Sequence, residues 1–192
     1  MPLIAGRFEI IGGGRFSIGI RILDAKTRCQ HEVDSARNQI YPQSIVRGDQ
    51  MPRLSAVVIA GEQGRKTQME GQEKAMISAL GRPLIDYVLE ALRGSREVSD
   101  VFVSVSGSTP LTESHVRSRG YQSISVPGTG YEADLHHTFS VISTPYVLTV
   151  AANLPLLRSE SIEDVVSAFY RSKRSSLVIG VPIDEIEEAM IE

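Results

Sequence analysis

The sequence lacks most of the features that mark secreted, membrane-spanning or metal-rich proteins. It has no tryptophan and a single cysteine, Cys29, among 192 residues, which excludes an internal disulfide and a cysteine-rich metal site. No apolar run reaches the roughly 18 residues that a membrane span needs, and the N-terminus has no secretory pattern. We therefore expect a cytoplasmic protein with no membrane partner.

A strong charge of either sign is also missing. The formal net charge is −3, with 22% charged and 42% hydrophobic residues. This balance is ordinary for a globular domain and gives no broad electrostatic reason to bind nucleic acid. The expected partners are therefore small molecules, and we expect no nucleic-acid partner.

The N-terminal segment, residues 1–53, differs in pattern from the rest of the chain. Residues 8–11 and 16–22 flank three consecutive glycines, and the second of these runs alternates apolar with smaller or polar residues. Alternation on both sides of a glycine turn is typical of a β-hairpin. We assign residues 1–53 to an appendage made of this hairpin and a linker, with Met51 as an alternative start.

Residues 54–192 alternate short apolar runs with amphipathic stretches, which predicts a second, larger domain. The continuous run Ala56–Ala60 is typical of a strand buried on both faces. Such alternation favours right-handed βαβ units in a three-layer α/β fold, with a mostly parallel, Rossmann-like sheet covered by helices on both faces. The expected strands are residues 56–60, 101–105, 121–126, 146–150 and 176–181, and the expected helices are residues 83–92, 112–119, 131–142, 161–170 and 183–191.

Ligands of parallel sheets bind beyond the carboxyl ends of the strands, which directs attention to the loops that follow them. In this chain those loops are Gly61–Met69, Pro127–Gly130 and Ala151–Pro155. They are the expected site, and the helices are expected to support it.

The first loop is both glycine-bearing and basic. Gly61 and Gly64 allow a tight turn whose N–H groups can point at phosphate oxygens. Arg65, Lys66 and the later Lys74 could offset triphosphate charge. The spacing does not match a Walker A motif. From these residues alone, a phosphate-binding loop and an ordinary glycine-rich turn with solvated cations remain alternatives.

Three collinear segments resemble the MobA-like nucleotidyltransferases. The likeness extends over about residues 55–181, in the order and near the spacing of that family. The first segment joins Gly61-x-x-Gly64 and Thr67-x-Met69 to Glu73-Lys74 and Leu80–Val88, the second is Gly128–Leu135, and the third is Asn153–Leu156.

The resemblance implies a nucleotidyltransferase fold and a reaction. It is greatest to the branch that transfers GMP from GTP to adenosylcobinamide phosphate in cobalamin synthesis, releasing pyrophosphate with Mg²⁺ as cofactor. The implied partners are GTP and a phosphorylated small-molecule acceptor, with a homodimer as one expected assembly. The implied residues are catalytic Lys74 and Arg65, nucleotide-binding Ala60, Gly61, Gly64, Lys66, Lys74, Gly128, Gly130 and Asp134, and metal-binding Asn153.

The chain departs from the family pattern at several site positions. Glu62 stands at the second glycine, where it would bring a negative charge to the triphosphate, and Gln68 stands at an arginine. Asn153 replaces the metal-binding aspartate, and an amide oxygen binds Mg²⁺ more weakly than a carboxylate. The domain is also expected to be short at its C-terminus.

These departures keep other functions open. One is a sister transferase, either a molybdenum-cofactor guanylyltransferase or a sugar-phosphate nucleotidylyltransferase. The other is a degenerate, non-catalytic nucleotide-binding or interaction module.

Several polar residues have simpler explanations. Adjacent helical positions such as His136 and His137 point about 100° apart, so we expect surface or packing roles for them. His115 is expected to be solvated on a polar helix. Asp134 has two interpretations, a nucleotide contact or a first-turn helix charge.

Overall fold

The computed structural model of the chain describes residues 20–24, 54–62, 71–172 and 176–179. Its strands are β1 Ile20–Asp24, β2 Leu54–Ile59, β3 Ser78–Ala79, β4 Arg82–Pro83, β5 Val98–Ser106, β6 Gln122–Val126, β7 Tyr146–Ala151 and β8 Ser176–Ile179. Its helices are α1 Leu84–Gly94, α2 Pro110–Ser118, α3 Tyr131–Val141 and α4 Ser159–Ser172, with a 3-10 turn at Lys74–Met76. None of the described helices is long and apolar enough to cross a membrane.

The main sheet has the strand order β6-β5-β2-β7-β1-β8. The four strands from β6 to β7 are mutually parallel, and β1 runs antiparallel to both of its neighbours. The expectation of a mostly parallel sheet in an α/β fold is confirmed. Among the described residues, the parallel strands follow one another through α1, α2 and α3, as expected for βαβ units.

Strand β2 lies inside the sheet and is buried on both faces, as its apolar run predicts. Ala56 and Val58 face a cluster that contains residues of α1, α2 and α4. Val57 faces a second cluster with Leu135 and Phe139 of α3. The sheet therefore has helices on both faces, which is the predicted three-layer arrangement.

The observed strands and helices lie close to the predicted ones along the parallel part of the sheet. The largest difference is β5, which begins at Val98 and ends at Ser106, whereas a strand over residues 101–105 was expected. The predicted final helix, residues 183–191, lies outside the described residues.

The N-terminal segment contributes a strand to this sheet. Ile20–Asp24 pairs with β7 on one side and β8 on the other, and Ile22 is fully buried in the main core. The remainder of residues 1–53 lies outside the described residues, so the hairpin and the domain boundary stay predictions.

A small hairpin precedes α1 and was not predicted. Strands β3 and β4 pair across Leu80 and Gly81, whose φ angles are 51° and 80°. Positive φ at both positions of a two-residue turn matches the twist of a hairpin. The Tyr87 hydroxyl of α1 donates to the Ala79 carbonyl oxygen at 2.7 Å, which fixes the hairpin against that helix. The Leu84 N–H at the start of α1 donates to the carbonyl oxygen of Ile77, the residue that follows the 3-10 turn, at 2.9 Å.

Candidate functional site

A pocket of about 240 Å³ opens where β2 and β5 end. This is the edge at which parallel sheets bind ligands, and the volume lies below the roughly 300–1,000 Å³ of sites for drug-sized molecules. The pocket therefore has room for part of a nucleotide. It is lined by Ile59, Gly61, Glu62, Ser104, Tyr131, Asp134 and Leu135.

The backbone on one side of the pocket is fixed by Ser106 at the end of β5. Its hydroxyl donates to the Glu62 carbonyl oxygen at 2.8 Å and accepts from the Glu62 N–H at 3.1 Å. An added Cβ at Gly128, where φ is +70°, would lie 3.2 Å from the Ser106 Cβ. The first and second predicted loops thus meet at a serine that no sequence motif singled out.

The second loop is closed by Asp134 in the first turn of α3. The Gly128 N–H donates to the Asp134 Oδ1 at 2.9 Å, and the Asp134 N–H donates to the Gly130 carbonyl oxygen at 2.9 Å. Asp134 also lines the pocket. The carboxylate thus holds the loop at the start of the helix and borders the candidate site, and its contact with a nucleotide stays a prediction.

Glu62, which stands at the second glycine of the family pattern, is turned toward the backbone of Lys74. Its Oε1 accepts a hydrogen bond from the Lys74 N–H at 2.7 Å, and only 7% of the residue is exposed. Its Oε2 is buried without a hydrogen-bond partner among the described residues. Burial raises the pKa of the Glu62 carboxyl, and the nearby Lys74 N–H and charge offset only part of that rise.

Lys74 lies on the 3-10 turn and is half-buried. The preceding residue, Glu73, is 5% exposed and bonds to the first turn of α2. The predicted catalytic lysine is therefore flanked by a buried carboxylate whose partners lie on a different element. No periodicity in the sequence indicates this contact.

Asn153 follows β7 and is exposed. Within the described parts of the chain, no group of three or more His, Cys, Asp and Glu side chains is placed to hold a metal ion. A single neutral amide oxygen does not fit a resident Mg²⁺, which proteins usually bind through one or two carboxylates plus substrate phosphates. Asn153 stays a prediction for contact with a metal that arrives on the nucleotide.

The remaining predicted site residues divide into two groups. Gly64, Arg65 and Lys66 lie outside the described residues, so their roles stay predictions. Ala60 is 5% exposed, and its N–H donates to the Ser104 carbonyl oxygen at 2.9 Å. A nucleotide contact through that N–H would have to displace a sheet-type hydrogen bond.

The expectation that His115 is solvated is wrong, because its side chain is paired with a buried carboxylate. Its Nε2 lies 2.7 Å from the Asp86 Oδ1, and Arg119 bonds to the other oxygen of the same carboxyl group. Asp86 is 4% exposed, so His115 on α2 and Arg119 just beyond it compensate a buried charge on α1. In the sequence, the spacing of His115 and Arg119, one helical turn apart, could have indicated that the two side chains share a partner. His136 and His137 are exposed on α3, as expected.

Comparison with known sequences identifies relatives over most of the chain. The MobA-like NTP transferase domain matches residues 56–187. An adenosylcobinamide-phosphate guanylyltransferase from Methanocaldococcus jannaschii is 37% identical over 149 residues, which cover 72% of this chain and 74% of that protein. A molybdenum cofactor guanylyltransferase from Yersinia pseudotuberculosis is 29% identical over 137 residues, which cover 70% of this chain and 64% of that protein.

Solved structures show the same fold at low sequence identity. A CMP:2-keto-3-deoxy-manno-octonic acid synthetase complexed with CTP superposes with a TM-score of 0.54 and 17% identity, over 62% of this chain and 48% of that one. Rv0371c from Mycobacterium tuberculosis gives a TM-score of 0.51 and 13% identity, over 60% of each chain. The chain thus spans about half to three fifths of these structures.

The family match begins inside β2 and includes both the Gly61–Glu62 turn and the Gly128–Asp134 loop that border the pocket. The resemblance predicted from the sequence motifs is therefore confirmed. The chain belongs to the MobA-like NTP transferase family, a family of nucleotidyltransferases.

Proposed function

We propose that this protein transfers GMP from GTP to adenosylcobinamide phosphate in cobalamin synthesis. An oxygen of the acceptor phosphate forms a bond to the α-phosphorus of GTP. The bond from that phosphorus to the oxygen bridging the β-phosphate breaks, and the electron pair leaves with pyrophosphate. The observation that carries the proposal is the 37% identity, over 149 residues, to a guanylyltransferase whose name specifies this acceptor.

The pocket supports this proposal through the types of residue that line it. Ile59 and Leu135 provide apolar surface, and Asp134 provides a carboxylate near the loop backbone. Such a combination suits the base or ribose of a nucleotide, which has flat apolar faces and hydrogen-bond donors at its edges. Lys74 would then bind a phosphate, together with the predicted ligands Arg65 and Lys66.

Magnesium enters this proposal as part of the substrate, Mg–GTP. When bound to the triphosphate, it neutralises charge on the phosphate oxygens. The contribution of the chain is to place the nucleotide and the acceptor in line and to add cations such as Lys74. Asn153 would offer the ion one neutral oxygen.

Two alternatives have specific support. The 29% identity to a molybdenum cofactor guanylyltransferase favours a sister enzyme that uses GTP with a different acceptor, and sugar-phosphate nucleotidylyltransferases form a further class with similar chemistry. Asn153, in place of an aspartate, favours a nucleotide-binding module without catalysis. The proposal entails a cytoplasmic location, where GTP is available, and includes a homodimer that sedimentation equilibrium can measure.

The test is an assay of pyrophosphate release with Mg–GTP and one acceptor at a time. We expect turnover with adenosylcobinamide phosphate and none above background with molybdopterin or a sugar 1-phosphate. Lys74→Met should lower kcat/KM by about tenfold or more, because one charge-assisted hydrogen bond to phosphate is lost. Turnover with another acceptor would favour a sister enzyme. GTP binding without release of pyrophosphate from any acceptor would favour the non-catalytic module.

A further inference from the structure

Glu73 caps a helix that lies far from it in the sequence. Its Oε1 accepts from the Leu111 N–H at 2.9 Å, and its Oε2 accepts from the Thr112 N–H at 2.7 Å and the Thr112 hydroxyl at 2.5 Å. The N-cap residue of α2, Thr109, makes no side-chain capping bond. Glu73 therefore satisfies the N–H groups that helix α2 would otherwise leave without partners.

The backbone around Lys74 is consequently held from two sides. The side chain of Glu73 anchors the preceding residue to α2, and the Oε1 of Glu62 accepts from the Lys74 N–H at 2.7 Å. Glu62 and Glu73 are 7% and 5% exposed, so both ties are shielded from water. Two buried carboxylates thus fix the origin of a long, flexible cationic side chain.

The charge of Glu73 is offset by α2 and not by Lys74. Negative charge is stabilised at a helix N-terminus, where N–H groups point outward. Within residues 54–62 and 71–172, no carboxylate oxygen lies within 4.0 Å of the Lys74 ammonium group. The neighbouring glutamate can therefore position the lysine without competing for its charge.

We propose that Glu73 is a positioning residue for Lys74 in the nucleotide site, acting through its bonds to α2. This inference rests on the proposed function, in which Lys74 binds a phosphate of GTP. A lysine whose backbone is fixed loses less conformational freedom when it binds phosphate, so the tie increases affinity for the nucleotide. A purely structural cap would instead contribute to stability alone.

A double-mutant cycle separates these two roles. The variants are Glu73→Gln, Lys74→Met and their combination, with the affinity for Mg–GTP measured by calorimetry and the stability by thermal denaturation. The amide introduced by Glu73→Gln has only one accepting oxygen and cannot accept from N–H groups at both of its ends, so this variant breaks part of the cap. Glu113→Gln is the matched control. It also removes a carboxylate at the start of α2, but this carboxylate pairs with Arg117 and does not cap the helix.

We expect Lys74→Met to weaken GTP binding about tenfold and Glu73→Gln to weaken it roughly threefold to tenfold in the wild-type background. In the Lys74→Met background, Glu73→Gln should change the affinity less than about twofold, while its effect on the melting temperature stays the same. Glu113→Gln should leave the affinity unchanged. Thr112→Val, which removes one of the three bonds, is the milder variant if Glu73→Gln does not fold, and its smaller effect should show the same dependence on Lys74.

Equal weakening of GTP binding by the Glu73 change in both backgrounds would overturn the positioning role, as would no weakening in the wild type. Failure of the proposed function gives a different result. In that case the wild type releases no pyrophosphate with adenosylcobinamide phosphate, whether or not it binds Mg–GTP. An affinity that Lys74→Met leaves unchanged would remove the phosphate contact of Lys74 on which the inference rests.

Discussion

The two halves of the main sheet are built in different ways. Strands β6, β5, β2 and β7 are parallel, and they are linked in sequence by α1, α2 and α3. Strands β1 and β8 form the other half, in which β8 pairs with β1 and with no other described strand. β1 comes from the segment before β2 and lies outside residues 56–187, which the family match covers.

Because of this difference, the candidate site and the β1 strand that helps to stabilise the fold lie in different halves of the sheet. The residues that line the pocket come from the carboxyl ends of β2 and β5 and from α3. β1 runs antiparallel to β7, so its own carboxyl end lies at the opposite edge of the sheet. We therefore expect changes in β1 to reduce stability and changes around the pocket to reduce nucleotide binding.

Removal of residues 1–50 is expected to have the largest effect. A chain that starts at Met51 lacks β1, so β7 loses a neighbour and β8 loses its described partner. We expect a loss of more than about 4 kcal/mol in the free energy of unfolding, measured by urea denaturation, because the buried Ile22 and two sets of strand hydrogen bonds disappear. Deletion of residues 2–15, which keeps β1, is the control. Unchanged stability in the chain from Met51 would show that β1 is dispensable.

Ile22→Ala tests the same half of the sheet with one substitution. Ile22 is fully buried, and truncation of such a side chain typically costs about 3 kcal/mol, within a range of roughly 2–5. The affinity for Mg–GTP should change less than about twofold, because Ile22 does not line the pocket. Leu135→Ala is the matched comparison: it should reduce both stability and affinity, since Leu135 is 8% exposed and borders the pocket. A large loss of affinity in Ile22→Ala alone would contradict the separation.

Asp86→Asn tests stability inside the parallel half. Burial alone would raise the pKa of the Asp86 carboxyl, but hydrogen bonds from His115 and Arg119 outweigh it and hold this pKa below its ordinary value of 3.8. The stabilisation is therefore present above pH 3.8 and is lost as the pH falls through the lower folded-state pKa.

At pH 7 we expect Asp86→Asn to lower the free energy of unfolding by about 2 kcal/mol. This is less than for a fully buried ion pair, because the Arg119 side chain is half-exposed and water screens its charge. The difference from the wild type should shrink below about pH 4, as measured by urea denaturation across that range. A difference that is constant with pH would mean that the charge of Asp86 does not stabilise the fold.

Glu62→Gln is expected to have the smallest effect. Because the folded-state pKa of Glu62 is raised above 4.5, its contribution to stability is full below pH 4.5 and falls as the pH rises through the folded-state value. The variant lacks this loss, so its stability relative to the wild type should increase by about 1 kcal/mol between about pH 4 and pH 8. Its GTP affinity at about pH 8 should also rise about threefold, since the amide oxygen can still accept from the Lys74 N–H while a negative charge near the proposed phosphate site is removed. Identical pH profiles for the two proteins would rule out an ionised, buried Glu62.

The sequence predicted the parallel half of the sheet well because its signals are local. The apolar run Ala56–Ala60 indicates burial on both faces wherever it occurs, and strand–helix alternation restricts the topology to a few forms. The same topology brought Gly61 and Glu62, which follow β2, to the same edge as Asp134, which bonds to the Gly128 N–H, and all three of Gly61, Glu62 and Asp134 line the pocket.

Contacts between residues far apart in the sequence could not be predicted in this way. Alternation in residues 16–22 indicated a strand, but nothing local identifies β7 and β8 as its partners. Glu62 was interpreted as a charge in the phosphate loop, whereas its carboxylate bonds to the Lys74 N–H. The capping of α2 by Glu73, across 38 positions, likewise has no periodic signal.

The central claim is that the pocket at the ends of β2 and β5 serves guanylyl transfer, and the fate of the α-phosphate of GTP tests it most directly. The protein is incubated with Mg²⁺, adenosylcobinamide phosphate and GTP labelled at either the α- or the γ-phosphate. We expect the α-label to appear in the acceptor and the γ-label in pyrophosphate. Recovery of the α-label only in GTP, GDP or free GMP, with none in the acceptor, would contradict the claim.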